Sequence, residues 1–362
     1  MAHSSYNILS CDGGGMRGLT TALLIKHLDD ELGILKEVDL FTGTSTGGII
    51  SVLLASGLSI DDVVKIYRDD GKRIFTPYTP SLLSSLIDIP KSLLETLFGE
   101  KIPFIFRTMY DSKGLEKVLK GTRFLSSNPT LKELEHKVAV TTFQLCDPDS
   151  KKWQTTVLHN LEGANVSERT KKIHEVHAID AVLSTSAAPF YFPPHFIEGF
   201  GYCVDGGVFA NNPCMATIAV MNLHEITPLA NIKVLSIGTG DKKNEGIPDD
   251  QVKNPLKWGM LKWTNPFSKG QIPPIPLFEL LLDGGTEAAT RISEILLGEK
   301  RFCRADATLI GDVALDSCSK DKMEVMEKSV KEYIKPPKAK EGEKPSEWEL
   351  TKKWVKTYWL QN

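Results

Sequence analysis

An α/β fold built on a single sheet is predicted by three observations. Short apolar, partly β-branched runs alternate with helix-patterned runs from Tyr6 to Ile237. Two of the runs, Tyr6–Ser10 and Val38–Phe41, pass straight into glycine-rich turns and then into apolar helices. The 362 residues are 41% hydrophobic and 25% charged, which is ordinary globular usage in a chain long enough to bury a large core.

The elements follow in order. YNILS (Tyr6–Ser10) reads as a first buried strand. It runs into Asp12-Gly13-Gly14-Gly15-Met16-Arg17-Gly18. Leu19, Leu23, Leu24, Leu28 and Leu32 then recur at helical spacing. Val38–Phe41 is the second strand, and Gly47–Ala55 a buried-type helix. Ser59-Ile60-Asp61-Asp62 has the form of a capping box opening a helix through about Arg68. Residues 76–106 mix four prolines with many leucines, which suits a lid over an apolar pocket and ordinary core packing equally. Ser112–Leu119 restarts helix, and Thr130–Glu135 makes one more turn. Val138–Cys146 and Gln154–Leu158 read as strands pairing through the Asp147–Lys152 turn. Ile173–Leu183 reads as one helix, closed by Ser184-Thr185-Ser186-Ala187-Ala188-Pro189. Tyr202–Val204 is a short strand before Asp205-Gly206-Gly207, and a helix follows Asn211-Asn212-Pro213 through Met221. Lys233–Ile237 reads as the last buried strand. Trp258, Met260, Trp263 and Phe267, among prolines, suit either a membrane interface or packing against the domain. Leu315–Tyr333 closes the fold as an amphipathic helix. One domain over 1–335 is expected, with its core in 6–240 and a helical completion in 241–335, followed by a charged tail over 336–362.

Composition excludes several function classes. A formal charge of −3 gives no basic surplus for nucleic acid. The six cysteines show neither disulfide-framework nor zinc spacing, so no metal site and no cofactor is expected. The N-terminus carries no secretory signal pattern, and no run is long and apolar enough to span a bilayer. The expectation is a soluble, cytoplasmic protein.

Two turns carry chemistry. Gly43-Thr44-Ser45-Thr46-Gly47 fits Gly-Xaa-Ser-Xaa-Gly, the pattern that lifts a serine hydroxyl out of a strand-to-helix turn. Such a turn needs unusual dihedrals and no neighbouring Cβ, which glycine supplies. By itself the pattern fits an ordinary loop as well. The Gly13–Gly15 run, between a strand and a helix, points free backbone N–H groups at an anion, either a phosphate or a developing oxyanion. Its spacing is neither of the two nucleotide-binding glycine patterns. Ester hydrolysis needs a nucleophile, a proton acceptor and oxyanion donors, and Ser45, Asp205 and the Gly13–Gly15 amides offer one of each.

Four stretches coincide in order: DGGGMRG (Asp12–Gly18), GTSTG (Gly43–Gly47), STSAAP (Ser184–Pro189) followed by FYFPPH, and DGG (Asp205–Gly207). Together they resemble the patatin-like phospholipases, lipid acyl hydrolases related in design to cytosolic phospholipase A2. The resemblance covers about Tyr6 to Gly240. It implies a three-layer α/β/α sandwich with a mainly parallel central sheet. It also implies a Ser45–Asp205 dyad without histidine, and an oxyanion hole from the amides of Gly13, Gly14 and Gly15. Arg17, Gly43, Gly47, Gly206 and Gly207 would support that site. The implied substrate is a glycerolipid ester at a membrane or lipid-aggregate surface, cleaved without calcium through an acyl-enzyme. Three rivals remain open at this point: a Ser45 triad using His195 or His224, an acyltransferase, and a lipid-binding module without turnover.

Overall fold

The computed structural model describes residues 5–76, 108–164, 166–242, 246–265, 275–335 and 345–361. The proline- and leucine-rich stretch at 76–106 lies, apart from Thr76, outside them, as does Phe267. Ten strands are described. The main sheet holds β1 (Tyr6–Cys11), β2 (Leu40–Gly43), β3 (Val138–Gln144), β4 (Gln154–His159), β5 (His195–Ile197), β6 (Gly201–Asp205), β7 (Ile232–Ile237) and β9 (Phe302–Ala305). β8 (Asp241–Lys242) and β10 (Thr308–Leu309) form a separate two-stranded ladder. The helices are α1 (Gly18–Leu32), α2 (Thr46–Ala55), α3 (Ile60–Ile74), α4 (Lys113–Lys120), α5 (Glu168–His174), α6 (Ala178–Thr185), α7 (Gly207–Ala210), α8 (Cys214–Leu223), α9 (Met260–Trp263), α10 (Pro276–Leu297), α11 (Lys320–Ile334) and α12 (Glu347–Trp354).

β1 lies near the middle, parallel to β2 and to β7; β2 pairs in parallel with β3, and β7 with β9. The strands β4 and β6 run antiparallel to β3, and β5 antiparallel to β6. Successive side chains leave a strand on opposite faces, and the burial shows two cores. Leu9, Cys11, Phe41, Val138, Val140, Leu235 and Ile237 pack with α1, α2, α3 and α6. Their neighbours Ile8, Leu40, Ala139, Val234 and Phe302 pack with α8 and Leu297. Both faces are covered, so the chain is a three-layer α/β/α sandwich with a mostly parallel sheet, and the strands are apolar nearly throughout for that reason.

The register of β3 sets the site. β4 occupies one edge of β3 over its whole length, from Ala139 opposite His159 to Gln144 opposite Gln154. The other edge is shared. Phe41, Thr42 and Gly43 of β2 take Val138, Ala139 and Val140 in parallel, and Cys203, Val204 and Asp205 of β6 take Gln144, Phe143 and Thr142 antiparallel. β2 and β6 therefore run toward each other along one edge, and their C-terminal ends meet beside Thr141.

Three expectations change. Ile173–Leu183 is two helices, broken where the Val176 carbonyl accepts the Leu131 amide at 2.8 Å and His177 bridges Thr130. Lys233–Ile237 is not the last strand, because β9 pairs beside it. Residues 345–361, expected as part of a charged tail, instead close the core. Trp348, Trp354 and Trp359 are buried, Trp359 Nε1 donates to the Ile34 carbonyl at 3.2 Å, and its own carbonyl accepts Asn7 Nδ2 at 3.1 Å. Lysine and glutamate dominate this stretch by number, but three indoles dominate it by buried area. Among the described residues no helix is long and apolar enough to cross a membrane.

Candidate active site

The Gly43–Gly47 elbow forms where β2 turns into α2. Ser45 sits at φ 53° and ψ −120°, a conformation that costs a side-chain-bearing residue about 1–3 kcal/mol. The surroundings enforce it. A Cβ on Gly43 would lie 2.1 Å from the Gly47 carbonyl oxygen, and one on Gly47 would lie 2.1 Å from that of Cys11. α2 is buried on every side, so its N-terminus cannot shift to relieve the turn.

Asp205 ends β6 and faces this elbow. Its carboxylate accepts a hydrogen bond from the Ser45 side chain, and its Oδ1 accepts the Gly207 amide at 2.7 Å. Among the described residues no charged partner reaches it. Burial pushes its carboxyl up to about 7, against the two hydrogen bonds, which pull it down. Gly206 and Gly207 allow the approach: a Cβ at 206 would lie 2.0 Å from Thr141 Oγ1, and one at 207 would lie 3.1 Å from Asp205 Oδ1.

The STSAAP stretch holds both partners. Thr185 Oγ1 accepts the Ser45 amide at 3.0 Å, and the Ala187 carbonyl accepts the Asp205 amide at 3.0 Å. The sequence marks this stretch as the close of a helix and as one of the four coinciding motifs; its bonding role rests on tertiary contacts, the one to Ser45 being 140 residues away in the chain.

The glycine loop lies beside Ser45. Its first amide, at Gly13, donates to the Asn211 carbonyl at 2.9 Å and is spent. This corrects the expectation of three oxyanion donors. Among the described residues, the amides of Gly14 and Gly15 have no acceptor, and both glycines line the cavity that holds Ser45 and Asp205. The loop is clamped from one further side, where the Met16 amide donates to the Leu315 carbonyl at 2.6 Å; a Cβ on Gly15, at φ +58°, would lie 2.1 Å from that carbonyl oxygen. Asn211 is held in turn by Thr286 of α10 at 2.8 Å. Neither Asn211 nor Leu315 carries a sequence signal for this role.

Arg17 is buried, yet it lines a different, polar cavity with Asp12, Thr239 and Arg304, and not the one holding Ser45. The cavity at Ser45 is apolar, walled by Ile49, Ile74, Phe75, Phe192, Phe278 and Leu282. No histidine lines it among the described residues. His195 Nε2 lies 2.8 Å from Asp180 Oδ1, and His224 packs on the His159 ring at 5.1 Å. Neither histidine lines the Ser45 cavity, which counts against the triad rival.

The arrangement offers a hydroxyl on a strained turn, a weakly acidic carboxyl on it, two unspent amides and an apolar cleft. The patatin-like phospholipase profile matches residues 9–218. A patatin-like protein 1 of Arabidopsis thaliana is 26% identical over 90% of this chain and 80% of its own length. A cGAMP-activated phospholipase of Vibrio cholerae is 29% identical over 65% of this chain and 64% of its own length. Among solved structures, VipD from Legionella pneumophila aligns over 91% of this chain and 67% of its own, at 13% identity and a TM-score of 0.36, too distant to add to the argument. With more than half its length matched by the profile, the chain belongs to the patatin-like phospholipase family.

Proposed function

We propose that the protein cleaves fatty-acyl esters of glycerolipids, as a phospholipase A-type hydrolase, through a Ser45 acyl-enzyme with Asp205 as base. The observation that carries this reading is the uncompensated Asp205 carboxylate on the Ser45 hydroxyl, at the wall of an apolar cavity. A general base works best with a pKa near the operating pH, and burial supplies that here. Asp205 takes the Ser45 proton as Oγ attacks the ester carbonyl. The Gly14 and Gly15 amides hold the oxyanion, an interaction that costs no reorganisation because the loop is already clamped. Asp205 then returns the proton to the leaving alcohol. In the second half it activates water against the acyl-enzyme. The apolar walls suit the acyl chain. No step calls for a metal, so turnover should survive excess chelator.

The test is a glycerolipid panel with mass-spectrometric product analysis, run on the parent and on Ser45→Ala, together with labelling by a fluorophosphonate probe. Free fatty acid from the parent, label on Ser45, and loss of both in Ser45→Ala are expected. Acyl release that persists in Ser45→Ala would refute the assignment, and label without turnover on any lipid would favour a binding module.

A further inference from the structure

We infer that the projection formed by residues 253–263, together with the outer face of α10, docks on an anionic lipid surface and sets the cavity mouth against it; this rests on the hydrolase reading above. Three large apolar side chains there face solvent: Leu256 is 98% exposed, Leu261 82% and Met260 76%. Three large apolar side chains exposed within six residues are the kind of feature that marks an interaction site. The segment is built, not loose. Trp258 and Trp263 meet edge to face at 4.8 Å and line an apolar hollow with Val252 and Leu280 of α10. The indoles thus fasten the segment to α10 and leave Leu256, Met260 and Leu261 outward.

α10 connects this surface to the reaction centre. Phe278 and Leu282 line the Ser45 cavity, and on the same turns Leu277 and Leu281 are exposed. A lipid surface that receives Leu256, Met260, Leu261, Leu277 and Leu281 therefore meets the helix that walls the acyl site.

Charge selects the occupant. Residues 253–263 (KNPLKWGMLKW) carry Lys253, Lys257 and Lys262 and no acid, in a chain of net charge −3. Lys253 and Lys257 are exposed and pair with no carboxylate among the described residues, and Lys262 Nζ lies 5.4 Å from the Trp258 ring. Apolar side chains flanked by lysines fit the interface of an anionic bilayer. A second copy of the chain fits less well, because a two-fold contact would set these lysines against their own images.

The full chain carrying Ser45→Ala, which leaves the lipid uncleaved, is sedimented with phosphatidylglycerol/phosphatidylcholine vesicles and with phosphatidylcholine vesicles at low and high salt. We expect stronger partition onto the anionic vesicles, weakened by salt. Met260→Glu/Leu261→Glu should lower partition at least about tenfold, and Lys253→Glu/Lys257→Glu should do so on anionic vesicles only, since each lysine near such a surface is worth roughly a fivefold change. With Ser45 intact, both double variants should hydrolyse a soluble short-chain nitrophenyl ester within about twofold of the parent, because neither touches the reaction centre; a change of that size is noise on a scale where a lost catalytic group costs orders of magnitude. Partition unchanged in both variants, or no partition by the parent, overturns the docking surface. So does a parent dimer that Met260→Glu/Leu261→Glu dissociates without any vesicle binding. If the parent lacks soluble-ester turnover, the hydrolase reading fails, and the Ser45→Ala vesicle comparison still decides the docking surface.

Discussion

Asp12 and Asp205 are both carboxylates at the C-terminal end of a sheet strand, and both are buried, at 2% and 4% exposure. Their company differs. Asp12 lies 2.8 Å from Arg304 Nη1, and Arg304 also engages Asp306 and, at 3.0 Å, Ser236 Oγ. Asp205 has the Ser45 hydroxyl and one backbone amide. Burial pushes both carboxyls up to about 7; at Asp12 the Arg304 guanidinium opposes that push while Asp306 adds to it, and at Asp205 no cation among the described residues takes part. Burial alone therefore does not make a base. A carboxylate tied to a cation cannot take a proton without breaking the pair. One held only by neutral donors can, and its raised affinity for the proton is then available to a serine.

The largest expected effect separates the two sites. Asp205→Asn should cut turnover by on the order of 10³–10⁴, because an amide keeps the Gly207 bond but cannot accept the Ser45 proton. The same variant should be more stable than the parent at pH 8. The raised carboxyl favours the folded state only while it stays protonated. That contribution is present below about pH 4 and lost as pH rises toward 7. Thermal melts from pH 4 to 8 should show the parent losing on the order of 4 kcal/mol from this source and Asp205→Asn escaping it. Equal activity, or a flat difference between the melts, would break the comparison.

Asp12→Asn should act through stability. Removing one partner of a buried pair costs about 3–5 kcal/mol, so denaturant midpoints should fall sharply while any folded fraction keeps measurable turnover. A folded, stable and inactive Asp12→Asn would give Asp12 a chemical role and erase the contrast.

Gly14→Val tests the donors. A Cβ at this position would lie 2.3 Å from Thr239 Oγ1, so the loop must move and the amide turn away. One lost oxyanion donor costs roughly 3 kcal/mol of barrier, read as a fall in kcat. Near-parental kcat in a folded variant would remove the loop from the mechanism.

Smaller still is the pH profile. kcat/KM should rise through an apparent pKa near 7 as Asp205 ionises; a flat profile from pH 5 to 8 would deny Asp205 the role of base. At the bottom of the scale, His195→Ala removes the contact to Asp180 and should leave turnover unchanged. An inactive but folded His195→Ala would restore the triad.

Much of this was legible locally. The glycine patterns at 43, 47, 206 and 207 announce the elbow and the DGG turn in the chain, although only Gly43, against the Gly47 carbonyl, and Gly207, beside Asp205, answer a demand within a few residues; Gly47 makes room for Cys11 and Gly206 for Thr141. The strands of the main sheet, apolar on both faces, carry their own signal, and β1, β2, β3 and β7 stand where the apolar runs predict. Boundaries drift where tertiary contacts intervene, as at Val176 and His177. No distinct apolar run marks β5 (HFI) or β9 (FCRA).

What the sequence determined by itself was chemistry that needs a residue type: a serine on a turn only glycine permits, a carboxylate freed by two glycines, and a glycine run before a helix. What tertiary structure alone decided was company. Ser45 and Asp205 are 160 residues apart, and they meet because β2 and β6 share one edge of β3. The Gly13 amide is spent because Asn211 arrives beside it, and Asp12 is neutralised because β9 brings Arg304. Three tryptophans turn a lysine-rich C-terminus into core. The residue type a turn requires is written in the turn; the neighbours it makes room for, its hydrogen-bond partners and its counter-charges come from distant strands, and no local pattern records which of them arrives.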